Sequence, residues 1–303
     1  MMAATPFLPT GAFGSGRLRL WALPFLTVSL IIVNLQFGQL DSPAWVSVAA
    51  LCIAVFGIPH GTLDVEIAAA RLGRSSPSIK LKIVGAYLLC AGLMTSLWFQ
   101  VPELALSLFL IVSIVHFSQD WQGKADPFLA LMVAWALVAL PALTKPVEVA
   151  EIFDMLVGNR NGAVIAALLA CASAPALLGC FVYAKGSYHS ADPQVTVEVI
   201  SCLIAAIFLP PLIAFSIFFC GLHSPRHMRD AMRETGAISA RQKGGIIAAV
   251  FMLSAGFGIV LLIGQDQAKI DVGIIRSVFM LISILTMPHF ILEHVRPVSP
   301  RAG

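Results

Sequence analysis

WVSVAALCIAVFGIPHGTLDV, residues 45–65, carries no Asp, Glu, Lys or Arg until Asp64. The uncharged run it belongs to covers 42–63 and shows no strict apolar–polar alternation. A run of about 20 such residues reads as one helix long enough for a hydrocarbon core of roughly 30 Å. Outward from it, similar runs recur at about 20–40, 83–102, 104–119, 128–144, 161–184, 199–225, 244–265 and 277–292. The whole chain is 58% hydrophobic and 12% charged, with a mean hydropathy of +0.90. A soluble domain needs about a quarter of its residues charged. Lipid is therefore the main solvent, and in lipid every backbone polar group must be satisfied internally. The expectation is an all-α, polytopic transmembrane helix bundle with eight or nine membrane segments.

Residues 1–16 read as a flexible N-terminal tail, 17–296 as a single integral membrane domain and 297–303 as a C-terminal tail. The first apolar run follows Arg17 and Arg19 and lacks a small-residue cleavage site, so it reads as an anchor. The six cysteines lie inside apolar runs without a CxxC pair, which suits packing better than disulfides or thiolate ligation. A net charge of +3 gives no nucleic-acid signal. PVEVAEIFDMLVGNR (146–160) has apolar residues at helical spacing between acids, as an interfacial helix would.

Lys and Arg set the orientation. Arg17 and Arg19 precede the first span; Arg71, Arg74, Lys80 and Lys82 follow the second. Arg226, Arg229, Arg233, Arg241 and Lys243 fill the loop after the run 199–225. All of these belong inside the cell. Nine single crossings would put the last loop outside, so one run between 128 and 225 does not cross once. Pro175 and Pro210–Pro211 are the places where it could break.

Five of the seven histidines, His60, His116, His223, His227 and His289, sit at or just beyond the C-terminal ends of apolar runs. His60 is followed four residues later by Asp64, His116 by Asp120 and His289 by Glu293. With 16 acids in 303 residues, three such matches exceed chance pairing. Positions i and i+4 share a helical face. A metal-bound imidazole commonly gives its second N–H to a carboxylate, which fixes its tautomer. Each acid is thus placed either to orient the histidine one turn before it or to bind the metal itself. In GLHSPRHM (221–228), Pro225 separates His223 from His227 and predicts a kink, with Ser224 capping a new helix. Ionisable groups at membrane depth are costly and point to function. An all-imidazole set suits iron, copper, zinc or nickel. His189 and His294 read as loop or edge residues.

GIPHGTLD (57–64), VHFSQD (115–120), HSPRH (223–227) and TMPHFILEH (286–294), in this order, resemble the Brp/Blh family of bacterial and archaeal membrane β-carotene 15,15'-dioxygenases. The resemblance covers about 50–295. It implies non-haem Fe(2+), with β-carotene and O2 as substrates and two retinals as products. It also implies iron ligation by His60, His116, His223 and His227, with His289 as a fifth candidate or a substrate-facing residue. Asp64 and Asp120 would orient His60 and His116, with Glu293 in the same supporting role near His289. This chain departs from the family pattern at Ser118–Gln119, where a glycine is usual after HF. Phe56, Phe117, Trp121, Phe215, Phe218, Phe219 and Phe290, near the ligands, are candidates for an apolar substrate tunnel. The site is expected near the cytoplasmic side of the cell membrane, and a retinal-binding rhodopsin is the expected acceptor of the product. Two rival readings are a lipid desaturase or hydroxylase, whose histidine boxes are denser, and a transporter or metal-binding accessory protein, whose acids would lie mid-span.

Overall fold

The computed structural model describes residues 15–38, 40–73, 76–123, 125–186, 193–264 and 270–295, the side chains of 15–20, His60 and 182–186 excepted. The expected tails fall outside these residues, save Ser15 and Gly16.

Among the described residues thirteen α-helices follow one another: α1 Ser15–Phe37, α2 Pro43–His60, α3 Asp64–Arg71, α4 Pro77–Gln100, α5 Pro102–Ser118, α6 Pro127–Thr144 and α7 Pro146–Val157. Then come α8 Gly162–Gly186, α9 Pro193–Phe208, α10 Pro211–Phe218, α11 Ser224–Glu234, α12 Ala240–Ile263 and α13 Ile270–Glu293. A 3₁₀ turn at Gln119–Trp121 follows α5, and a π turn at Phe219–His223 joins α10 to α11. No β-strand occurs among the described residues.

Proline starts many of these helices, including α2, α4, α5, α6, α7 and α10. Its missing N–H is one the first turn leaves unbonded anyway, and its fixed φ suits the helix. Asp126 caps α6 by accepting from Phe128 N at 2.8 Å, and Ser239 with Gln242 forms a capping box on α12. Lipid makes the helix interior nearly obligatory, and these residues set where each helix begins.

Among the described residues, seven helical spans are long and apolar enough to cross a membrane: Pro43–Arg71, Pro77–Gln100, Pro102–Trp121, Pro127–Thr144, Gly162–Phe181, Ala240–Ile263 and Ile270–Glu293. Two shorter apolar helices, Trp21–Phe37 and Pro193–Phe208, account for the remaining runs. The chain is thus an all-α polytopic bundle. The expected break falls at Pro210–Pro211, between α9 and α10, while Pro175 stays inside α8. α7 forms within the predicted amphipathic stretch, burying Val149, Phe153, Leu156 and Val157.

α13 is the axis of the bundle and packs on α2, α4, α5, α7 and α12. Lipid tails are as apolar as leucine, so the helices are held by close packing rather than by expulsion of water. Small buried residues allow it: Ala49, Ala50, Ala105, Ala134, Ala136 and Ala205 are nearly inaccessible. Trp98 Nε1 donates to Ser283 Oγ between α4 and α13, a bond with no competing water in hydrocarbon. α12 lies at the periphery with Met252, Leu253 and Ile263 exposed.

Candidate metal centre

The polar residues of the apolar runs gather at one end of the bundle. α2 ends on His60, and Asp64 opens α3 after a three-residue turn. α5 carries His116 in its last turn, and the 3₁₀ turn after it carries Asp120. His223 closes the π turn, His227 lies one turn into α11, and His289 and Glu293 end α13.

His116 is the hub. Its ring centroid lies 4.8 Å from that of His223, 4.9 Å from His227 and 5.0 Å from His289. His223 and His227 are 4.4 Å apart, and His227 and His289 6.1 Å. One potential ligand atom from each of His116, His227, His289 and Glu293 lies within 4.8 Å of the others, and the same holds for Asp120, His223 and His227. Imidazole nitrogens bind zinc, a representative ion of this size, at about 2.0–2.1 Å, which puts two ligands of one ion at most about 4.2 Å apart. The group is on the scale of one metal centre. The side chain of His60 lies outside the described residues.

The carboxylates are shared differently from the i, i+4 expectation. Asp64 Oδ2 lies 2.7 Å from Nδ1 of His289, on α13. Asp120 Oδ2 lies 2.8 Å from Nδ1 of His223, and not on His116. Glu293 reaches two rings, with Oε2 3.0 Å from His116 Nδ1 and Oε1 3.4 Å from His227 Nδ1. The helices explain the difference. Between His60 and Asp64 the turn 61–63 interrupts the helix, and Asp64 opens the next one toward His289. Between His116 and Asp120 the chain tightens into 3₁₀ geometry, whose larger angular step turns Asp120 away. Glu293 does remain on the helix of His289, but Asp64 already holds that ring.

The π turn replaces the predicted kink. Pro225 has no N–H for a bond to the carbonyl four residues back, and the widened turn directly before it absorbs the mismatch while the segment stays helical. Ser224 has helical φ and ψ and caps nothing; its hydroxyl donates to the Phe56 carbonyl, fixing the π turn on α2.

Two glycines of the opening motif allow close approach. A Cβ on Gly61 would lie 3.2 Å from Asp64 Oδ2 and 3.3 Å from His289 Nδ1; one on Gly57 would lie 2.9 Å from Phe219 Cε1. Phe219 in turn stacks on His223 at 5.3 Å.

Three supports were not foreseen in the sequence. With its amide nitrogen turned to Glu293, Gln119 lies 2.9 and 3.1 Å from the two carboxylate oxygens. Arg226 donates to the Asp120 carbonyl at 3.2 Å and to Glu198 Oε2 at 2.6 Å. Arg71 donates to the Glu293 carbonyl and to both Glu234 oxygens, at 2.8 and 2.9 Å. Gln119 and Arg226 sit inside the VHFSQD and HSPRH blocks, yet no spacing rule marks them. His227, outside the membrane-spanning helices, is pushed down to about 4, first by burial and then by His116, against the opposing pull of Asp120 and Glu293. Its neutral form, the one that binds metals, therefore prevails at ordinary pH.

An apolar cavity of about 100 Å³ abuts the His223 end of the group. Phe117, Phe215 and Phe218 line it, and Phe117 and Phe218 lie 4.8 and 6.0 Å from His223. Trp121 stacks behind Phe218 at 6.1 Å, and Phe219 packs on Phe215 at 5.3 Å. Phe290 packs near His116 and on His294. Phe56 instead turns outward, 48% exposed. A separate polar recess of about 90 Å³ reaches His227, His289 and Glu293 past Arg71, Asp230 and Glu234.

Residues 51–295 match the family model described as beta-carotene 15,15'-dioxygenase. The chain is 28% identical over 269 residues to the beta-carotene 15,15'-dioxygenase of uncultured marine bacterium 66A03, covering 83% of this chain and 95% of that protein. It is 24% identical over 270 residues to the probable beta-carotene 15,15'-dioxygenase Blh of Halobacterium salinarum, covering 79% and 74%. No solved structure matches significantly.

Proposed function

The chain belongs to the β-carotene 15,15'-dioxygenase family, and we propose that it is a membrane non-haem iron enzyme cleaving the central double bond of β-carotene with O2 to give two retinals. The observation that carries the reading is the meeting of His116, His223, His227 and His289, from three separate stretches, around one another with a carboxylate oxygen at each Nδ1.

The donor set fits a ferrous ion. His116, His223 and His227 would hold it together with His60, and His289, held by Asp64 beside His116, would join them. With a carboxylate at Nδ1, each of these rings would offer Nε2 to the ion, and the carboxylate would make that nitrogen more basic. Asp64, Asp120 and Glu293 would offset the charge of a divalent ion held there. None of the histidines or acids of the group is replaced by a thiolate, which suits non-haem iron better than a cluster. When bound, ferrous iron supplies the activation of O2 for the oxidative cleavage of the alkene. The protein's own part is to hold the ligands, keep water from the apolar cavity and set the polyene beside the ion. No general acid or base is assigned.

Arg71, Arg226, Arg229 and Arg233 lie on α3 and α11, the helices that carry or adjoin the histidines, so the positive-inside rule puts this end of the bundle on the cytoplasmic side of the cell membrane.

Expression in cells that accumulate β-carotene tests the reading. The expected outcome is loss of orange colour, retinal in the extract, and about one iron per chain in the purified protein. A His116→Ala, His223→Ala double variant should keep the colour and lose the iron. Unchanged β-carotene beside well-expressed, iron-loaded protein would overturn the proposal.

A further inference from the structure

A second apolar space lies at the other end of the histidine group. It is a cleft of about 560 Å³, within the usual size of a ligand pocket. One wall is a stripe along α4, Val84, Tyr87, Leu88, Ala91, Gly92 and Thr95, whose spacing of three and four marks a single helical face. The facing wall is Val250, Leu253, Ser254 and Phe257 of α12, with the same periodicity. Ile284 and Leu285 of α13, on which both helices pack, form the floor. The lips carry Leu88 and Leu253, 64% and 75% exposed, so the cleft opens onto the side of the bundle that faces lipid.

The inner end leads to the metal centre. Gly61, Tyr87, Val250, Ser254 and Leu285 are shared with a narrow recess of about 30 Å³ that His289 lines. Three hydroxyls along the route are turned onto the backbone: Thr62 donates to the Pro59 carbonyl at 2.7 Å, Thr95 to Ala91 at 2.8 Å and Tyr87 to Leu285 at 3.4 Å. The cleft, with Ser254 as its remaining hydroxyl, therefore offers mainly carbon to whatever fills it. The cavity of Phe117, Phe215 and Phe218 approaches the same histidines from the His223 end.

We propose that the α4–α12 cleft is the lateral entrance and one arm of the carotenoid site. The polyene slides in from the bilayer. One half, with its ring, rests in the cleft, the other enters the cavity beside His223, and the midpoint lies at the histidines between them. This rests on the function proposed above. A molecule cut at its centre needs an apolar arm on each side of the metal, and the cleft supplies the second.

Gly92 is the place to test it, because it lines the cleft and a Cβ there meets nothing within 4 Å, so Gly92→Phe is the substitution to narrow the cleft with no clash at its Cβ. Gly85 is equally open but lies off the cleft, and Gly85→Phe is the control. With full-length protein in lipid nanodiscs, Gly92→Phe should raise KM for β-carotene at least tenfold with iron content unchanged, while Gly85→Phe matches the wild type. Should Gly92→Phe misfold, Leu253→Trp on the opposite lip is expected to raise KM in the same direction. An unchanged KM in a folded, iron-loaded cleft variant, or an equal rise in Gly85→Phe, would refute the entrance and leave the function standing. Wild-type protein that holds iron but leaves β-carotene intact would instead refute the function, and the entrance with it.

Discussion

Asp64 shows what one residue decides here. It opens α3, four positions after His60, yet its carboxylate holds His289 from across the bundle. Removing the charge while keeping the shape should loosen that ring: Asp64→Asn is expected to weaken iron retention about 10- to 100-fold, read as metal left after dialysis against a chelator. Gln119→Ala removes only a donor to Glu293 and should cost less in the same assay. Gly61 belongs to the same spot. A methyl group there would press on both partners of the Asp64–His289 bond, at 3.2 and 3.3 Å. Gly61→Ala is therefore expected to lower retinal formation at least tenfold while the protein still folds and extracts normally. Wild-type rates in Gly61→Ala would mean that the pair tolerates displacement.

At the level of elements, the π turn is the feature on which the ligand geometry depends most. It adds one residue to an otherwise continuous helical segment from Pro211 to Glu234. In a regular α-helix each residue turns the chain by about 100°, so the extra one sets how His223 faces His116 relative to the packing of α10. Deleting Cys220 should restore regular helix, keep the helical content seen by circular dichroism and abolish iron binding. Full iron occupancy in the deletion variant would show that the π turn is a packing detail. The same reasoning applies where α5 tightens into 3₁₀ geometry: a small change of helical step moves Asp120 from His116 to His223.

The whole molecule places a polar, acid-lined candidate metal centre at one end of a lipid-embedded bundle, with one apolar space leading to His289 and another lying behind the Phe117 and Phe218 rings that pack on His223. Arg71 ties three elements together there, α3, the end of α13 and the end of α11. The Arg71–Glu234 pair is partly exposed, and such pairs contribute about 0–1 kcal/mol, so the stronger link is the bond to the Glu293 carbonyl. The basic residues at this end predict its side of the membrane. A fluorescent protein inserted at Gly236, between α11 and α12, should fluoresce in bacterial cells, whereas alkaline phosphatase at the same place should stay inactive. Active phosphatase would put the metal centre on the outer face.

The amino-acid sequence determined the solvent of this protein and the class of its fold, because the absence of charge over about 20 residues leaves the backbone no partner but itself. It also marked the gathering residues: His116, His223, His227 and His289 stand out as imidazoles at the ends of apolar runs. The pairing of acids with rings was decided only by the tertiary structure. Periodicity describes one helix at a time: it paired Asp120 with His116, whereas the tightened turn sets Asp120 on His223, and it gave no sign that Asp64 meets His289 from across the bundle. The role of Gln119, the outward turn of Phe56 and the cleft between α4 and α12 were equally out of reach. Each depends on how separate helices cross and rotate against one another, which is set by the packing of small residues in contact across the bundle and leaves no period in the chain.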